Sequence, residues 1–454
     1  MIKIKFCGAA KTVTGSNYVV TTNHGTFAVD CGMFQGPDVE HLNLEELSYN
    51  PTDLDFALLT HSHIDHSGML PKLTKNGFEG VIYATSNTIQ ISTELLLDSA
   101  KIQESNFKRG EFYGKYTKVK ALVYDNNDAI KTIAKFKPVN FDETFEPADG
   151  IKVTYLVAGH ILGAASIEVD IEDDGVWKKI IFSGDIGRMG SNIIDTFDRE
   201  YRSQPDYVLV ESLYGGQFHP ERQESVNEMI TLISNTVSTG GSVFIPSFAV
   251  QRTQEILNDL KIAKQAGALT RDLKVWLDSP LAQRVTRIYI SALQHGEENL
   301  FDFEGLIYVN KYKQSQGIAS KTGQVVIAGS GMADGGRIVE HLSRSLENPK
   351  NAVIFVGYQA EGTLGRELTE GAKNVVIGSR NISVKAKIHL LKGFSAHGDT
   401  NDYSAWLKRF TNEKLKKVFL IHAEIDRSTA LKEYFEGERI NSCYIPSMQE
   451  EIQL

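Results

Sequence analysis

The segment LLTHSHIDHSG, residues 58–68, crowds three histidines and an aspartate onto one short loop: His61, His63, Asp65 and His66. An apolar run leads into it and a glycine follows. A single histidine is ordinarily a hydrogen-bonded structural residue, and His24, His41, His219, His295, His341 and His389 are read that way. The loop is different. Its imidazoles repel one another when protonated and need partners when buried. A bound cation removes both problems, and imidazole nitrogen with carboxylate oxygen suits zinc.

One ion cannot comfortably use all four side chains, so the loop predicts two zinc ions. His61 and His63 serve the first, Asp65 and His66 the second. Three further donors end apolar strand-like runs: His160 in LVAGH, Asp185 in IFSGD and His422 in FLIHAE. His160 then caps the first ion, His422 caps the second, and Asp185 bridges them. Paired ions ~3.5–4 Å apart suit displacement at an oxygen-rich centre, because both attacking and leaving oxygens can be held.

Along the chain, residues 1–211 read as short strands joined by loops, with a helix near 86–104. Residues 105–140 are polar and weakly patterned, and read as a helical surface excursion. After residue 211, β-branched runs alternate with helical runs at 250–266, 281–294, 335–346 and 363–371. That alternation predicts a parallel α/β sheet. Mixed patterning resumes near 376. The chain thus divides into a first domain at 1–211, an insert at 212–375, and a returning part of the first domain at 376–454.

Composition adds few constraints. The net charge of −9 does not announce a nucleic-acid partner, and the acidic excess lies in residues 1–211, leaving room for a local basic patch later. Cys7, Cys31 and Cys443 are scattered, which argues against a disulfide framework. No apolar stretch approaches the ~20 residues that span a bilayer. MIKIKFCGAA reads as a strand, not a signal peptide. The expected location is the cytoplasm, without a membrane partner.

The HxHxDH loop, with its distant histidine and aspartate, resembles the metallo-β-lactamase superfamily. ESLYGG, IPSFAVQRTQEIL, DSPLAQR, GSGMADGGRIVEHL, GYQAEGTLGREL and GFSAHGD resemble its β-CASP branch, which includes the cleavage-and-polyadenylation nuclease and RNase J. The resemblance implies an α/β fold: an αββα sandwich carrying an inserted parallel-sheet β-CASP domain. It also implies that Asp30 in VDCG lies behind the ligand loop, and that the branch motifs fall on Glu211, His397 and His422. Histidine at the last of these typifies RNA-directed members.

The implied function is a zinc-dependent ribonuclease acting on single-stranded RNA, and endonucleolytic and 5′-to-3′ exonucleolytic cleavage both suit these motifs. A homodimer is also compatible with the sequence. In the expected mechanism Asp65 orients the attacking water, while His397, held by Glu211, protonates the leaving oxygen. Ser330, Gly331, Arg337 and Arg252 are candidate RNA contacts from the insert. The rival for the glycine-rich loop is a plain strand-to-helix turn. Two rival functions use the same frame: a small-ester or thioester hydrolase, and a noncatalytic RNA-binding subunit. The complete ligand set argues against the latter.

Overall fold

The computed structural model describes residues 1–36, 39–109, 112–113, 117–118, 121–190, 193–197, 203–293, 299–318, 321–411, 413–440 and 442–454. His295 and residues 110–111, 114–116 and 119–120 of the polar excursion lie outside them; the rest of 105–140 is not a helical excursion alone, because helix Asn126–Ile133 leads into strand Phe136–Val139, which pairs with Val81–Thr85. The described residues form two compact units, Met1–Phe218 with His397–Leu454, and His219–Ala396.

The first unit is built on two seven-stranded sheets. One runs in the order 451–453, 3–8, 17–22, 25–29, 56–58, 81–85, 136–139. The other runs 443–444, 417–421, 207–211, 176–182, 165–173, 151–157, 144–148. Their facing sides share one apolar core that includes Ile4, Phe6, Val20, Val29 and Leu58 from the first sheet and Val153, Ile167, Ile180, Leu209 and Phe419 from the second. Phe6 and Phe419 bridge the sheets with ring centroids 5.3 Å apart. Alternation explains the arrangement, because successive strand side chains face opposite sides.

The outward residues of each sheet bury under helices. Ala28, Ala57 and Ile82 pack with Leu70, Leu73 and Leu96. Val208, Val210 and Val418 pack with Trp406, Leu407, Leu431 and Phe435. The result is four layers, helix, sheet, sheet, helix, as expected for the first unit.

This architecture decides where the polar residues go. Strands 176–182, 207–211 and 417–421 are parallel, and 151–157 points the same way through two antiparallel steps. Their carboxyl ends therefore share one edge, and His160, Asp185, Glu211 and His422 sit at or just beyond those ends. In the other sheet, 25–29 and 56–58 are parallel, placing Asp30 beside the histidine loop. Ala165 N–H donates to the Thr60 carbonyl at 2.9 Å, joining the two sets of loops.

The second unit carries a six-stranded sheet in the order 306–308, 274–277, 324–328, 243–246, 352–355, 387–390, parallel at every pairing. Helices Arg252–Gln265, Pro280–Leu293, Gly336–Ser345 and Leu364–Thr369 fall where alternation predicted them. The helix Arg222–Ser238 was not anticipated. The unit also extends beyond the expected 212–375. Strand Lys387–Leu390 pairs with Ala352–Phe355 and completes the sheet, so residues 376–396 stay with the insert. An antiparallel hairpin, Asn374–Ile377 with Arg380–Ser383, is interposed between helix Leu364–Thr369 and that last strand, which breaks the strand–helix alternation at the point where the sequence changes pattern.

One glycine holds the histidine loop in place. The 30–33 backbone pairs with the loop through Cys31 N–H to His66 O at 2.8 Å and Met33 N–H to Ile64 O at 2.9 Å. A Cβ on Gly32 would lie 1.6 Å from the Asp65 carbonyl oxygen. Gly32→Ala must therefore push the loop away. We expect it to lower unfolding stability by about 1–3 kcal/mol, the usual scale of overpacking, and to weaken metal binding. Denaturant titration and zinc affinity measure both. Wild-type values for both would contradict this account of the loop.

Candidate metal centre

Strand Phe56–Leu58 delivers the loop, and the short helix Ile64–Ser67 turns it. Ser67 Oγ donates to the carbonyls of Ser62 and His63 at 2.9 and 3.0 Å, tightening the turn. His61, His63, His160 and Asp185 then converge as one potential ligand group, and Asp65, His66 and His422 as a second. This is the division expected from the sequence.

Asp185 lies between the groups. Its Oδ1 is 3.1 Å from His66 Nε2 and 3.3 Å from His422 Nε2. Its Oδ2 is 3.3 Å from His61 Nε2 and 3.5 Å from His160 Nε2. The carboxylate is 1% exposed, yet neither oxygen makes a hydrogen bond. Within the first group, His63 Nδ1 lies 3.2 Å from His61 Nε2 and 3.1 Å from His160 Nε2. In the second, His66 Nε2 and His422 Nε2 are 3.0 Å apart. Nitrogens facing nitrogens around an unbonded buried carboxylate are poorly served by protein hydrogen bonds alone. The donor set fits metal cations, whose charge and empty orbitals satisfy all of these groups together.

Behind the ligands is a hydrogen-bonded frame. His66 Nδ1 lies 2.7 Å from Asp30 Oδ2, and Asp30 also accepts from Thr60 N–H and Thr60 Oγ1, both at 2.8 Å. Thr60 Oγ1 is also 3.1 Å from His61 Nδ1. Such partners fix the tautomer and direction of a ligating imidazole. Asp30 stands where the resemblance put it. Thr60 was missed; its only sequence signal is that it immediately precedes His61.

His397 joins the same edge. Its Nδ1 is 3.2 Å from Glu211 Oε2 and 3.9 Å from Asp185 Oδ2. Asp185, Glu211 and His397 are close enough to form a third potential ligand group. Glu211, however, is already occupied, accepting from Ile186 N–H and from Tyr403 Oη at 3.0 Å as well as facing His397. Its carboxylate therefore faces His397 while fixed by hydrogen bonds from two other groups. Tyr403 also escaped the sequence reading. The helix Thr400–Lys408 is announced by its Asp399/Asp402 capping box, but nothing in the sequence says that its tyrosine meets Glu211.

Protonation follows the charges. Burial, then the neighbouring His61, pushes His63 down to about 3, and burial with His397 holds His160 well below its usual range. Burial also disfavours charge on His66 and His422, but Asp185 with Asp30 or Asp65 outweighs it. His66 is raised well above normal and His422 is raised to about 9. Burial opposes charge on Asp185 too, and His422 and His66 nevertheless hold it well below the normal carboxylate range.

Comparison with known proteins agrees with this geometry. Family models match the metallo-beta-lactamase superfamily at 11–232, the Beta-Casp domain at 253–368, and the Zn-dependent metallo-hydrolase RNA specificity domain at 381–446. Ribonuclease TTHA0252 of Thermus thermophilus is 32% identical over 93% of this chain and 94% of its own. The chain belongs to the β-CASP branch of the metallo-β-lactamase superfamily. An RNase J-like protein of Methanocaldococcus jannaschii is 30% identical over 93% of each chain. Transcription termination factor FttA of the same organism is 30% identical over 93% of this chain and 67% of its own. A solved structure of a protein of unknown function from Enterococcus faecalis V583 covers 100% of this chain with TM-score 0.54 and 12% identity, a likeness of fold alone.

The expected RNA contacts in the β-CASP unit fare differently. Arg252 Nη1 lies 2.6 Å from Glu255 Oε2, and the side chain is buried. Arg337 is bound to the buried Asp278 and to the Val309 carbonyl, the latter at 3.1 Å. Both guanidinium groups hold their own unit together, so neither is carried forward as a phosphate ligand. In the glycine-rich loop, Ser330 N–H donates to Gly335 O at 3.1 Å, and Ser330 Oγ accepts from Asp334 N–H at 3.0 Å. The loop spends these groups on its own strand-to-helix turn, and Gly331 packs beneath an aromatic ring. Among the described residues no helix is long and apolar enough to cross a membrane.

The raised histidines give a pH signature. An unfolded histidine titrates near ~6.5. Stabilisation from His66 and His422 is thus complete below that pH and is lost as pH rises through their folded values, about 9 for His422. His61, His63 and His160 are neutral in both states above pH 7 and add no slope there. The metal-free chain should therefore melt at falling temperature from pH 7 to about 9.5, and saturating zinc should flatten that fall. Calorimetry with and without zinc checks it; a metal-free melting temperature indifferent to pH would contradict the assignment.

Proposed function

We propose that the chain is a zinc-dependent ribonuclease that hydrolyses phosphodiester bonds of single-stranded RNA. The observation that carries this reading is Asp185, which turns one carboxylate oxygen to each of two histidine groups at the same strand edge. The names of the ribonuclease relatives and the RNA specificity domain support RNA as the substrate. In this reading His61, His63 and His160 hold one zinc ion, Asp65, His66 and His422 a second, and Asp185 both. When bound, the ions supply Lewis acidity and make water a nucleophile near neutral pH.

The chain's own residues then divide the work. Asp30 and Thr60 keep His66 aimed. Asp65, the most exposed of the carboxylates around the two groups, orients the attacking water. His397 presents Nδ1 to Glu211, which leaves Nε2 to carry a proton toward the substrate. Burial opposes its charge, but Glu211 and Asp185 raise its pKa above normal, which favours the protonated form a proton donor needs. As the water, its proton released to solvent, forms the new P–O bond and the P–O3′ bond breaks, Nε2 gives its proton to the departing 3′ oxygen. Tyr403 holds Glu211 for this task.

The test is cleavage of a labelled single-stranded RNA, abolished by a strong chelator and restored by zinc. A blunt duplex should be cut far more slowly, and a small thioester not at all. His397→Ala should keep its zinc while losing ~10²–10⁴ in turnover, the usual worth of a positioned acid. His422→Ala should lose zinc and turnover together. Thioester hydrolysis without RNA cleavage would overturn the reading, and zinc loss in His397→Ala equal to that in His422→Ala would overturn the division of labour.

A further inference from the structure

Two large aromatic side chains of the second unit stand in solvent at one end of its sheet. Phe248 is 43% exposed and Tyr358 is 59% exposed. They follow strands Val243–Pro246 and Ala352–Phe355, which are adjacent and parallel. The glycine-rich loop follows the neighbouring parallel strand Gln324–Ala328 on the other side. All three loops therefore leave the same carboxyl edge, where open parallel sheets receive ligands.

The backbone that carries these aromatics is tied down by hydrogen bonds. The Phe248 ring lies flush with the glycine loop; a Cβ on Gly331 would be 2.7 Å from it, and one on Gly357 would be 4.0 Å away. Gln359, itself buried, donates from Nε2 toward the carbonyls of Gly331, Gly357 and Tyr358 at 3.0–3.2 Å, tying the loop beneath Phe248 to the segment that bears Tyr358. The Phe248 carbonyl accepts from the buried Thr253 Oγ1 at 2.6 Å. Gln251 closes this turn at φ +63°, with its side chain fixed by Tyr289 at 2.8 Å. A buried polar frame thus presents an apolar ring to water, although burying that ring would have stabilised the fold.

We propose that Phe248 and Tyr358 form a stacking platform for unpaired bases of the RNA substrate. The inference rests on the ribonuclease reading above and supplies a recognition site for it. Every nucleobase has a π face, so aromatic platforms grip single strands without reading sequence. The same edge lacks the use of Arg252 and Arg337, whose charges are bound to Glu255 and Asp278, so the recognition it offers is of bases more than of backbone. Gly331, expected as a phosphate contact, instead makes room for the ring.

The experiment measures affinity of the zinc-loaded full chain for a fluorescein-labelled, 2′-O-methyl single-stranded oligonucleotide by anisotropy. Phe248→Ala and Tyr358→Ala should each weaken binding about 10-fold, the scale of one lost base stack. Phe248→Tyr should retain affinity and Phe248→Leu should not, which separates stacking from bulk. An oligonucleotide with abasic sites should bind the wild type as weakly as the intact one binds the variants. Melting curves verify that each variant is folded. Wild-type affinity in both alanine variants, or equal affinity for the abasic strand, would overturn the platform. So would a changed oligomeric state with RNA binding intact, which would give this face to a protein partner. Failure of the wild type to cleave unmodified RNA would instead overturn the ribonuclease reading.

Discussion

A buried carboxylate with no hydrogen bond organises this protein. Taking Asp185 out of water is costly unless opposite charge meets it. Here four imidazole nitrogens from three separate segments surround its two oxygens. Bound metal would satisfy these groups better than protons can, so the fold should gain stability when metal binds.

The sandwich exists in part to deliver that convergence. Each segment that carries candidate ligands leaves the end of an apolar strand, so the apolar core fixes the strand and the strand fixes the segment. The backbone closes the remaining freedom. His422 adopts φ +57° while its N–H donates to Ala9 O at 2.7 Å, so the last ligand is bent inward by a contact with the first strand's turn. Asp30 also takes φ +57°, at the point where its carboxylate must reach back to His66 and Thr60. Non-glycine residues in this region carry strain, and among those that adopt it here Asp30 and His422 belong to the site.

What the sequence disclosed follows from how local each signal was. The loop at 61–66 carries its own spacing, and His160, Asp185 and His422 each ended a recognisable strand, so the convergence of these side chains was readable before any coordinates. Alternation of strands and helices likewise announced the parallel sheet. Pairings between distant residues were hidden. Nothing near Arg337 reveals Asp278, and Arg252 looked like a helix-start cation until Glu255 claimed it. Tyr403 reaches Glu211 only because the helix after His397 packs on strand 207–211. The end of the insert was misplaced for a similar reason: strand Lys387–Leu390 finds its partner in Ala352–Phe355, and no periodicity in 376–396 encodes that choice.

The central claim is that two metal ions share Asp185. Anomalous diffraction at the zinc edge from crystals grown with zinc tests it most directly. The account predicts two peaks: one among His61, His63, His160 and Asp185, the other among Asp65, His66, His422 and Asp185. A single peak, or a second ion held by Glu211 and His397 in place of His66 and His422, would contradict it.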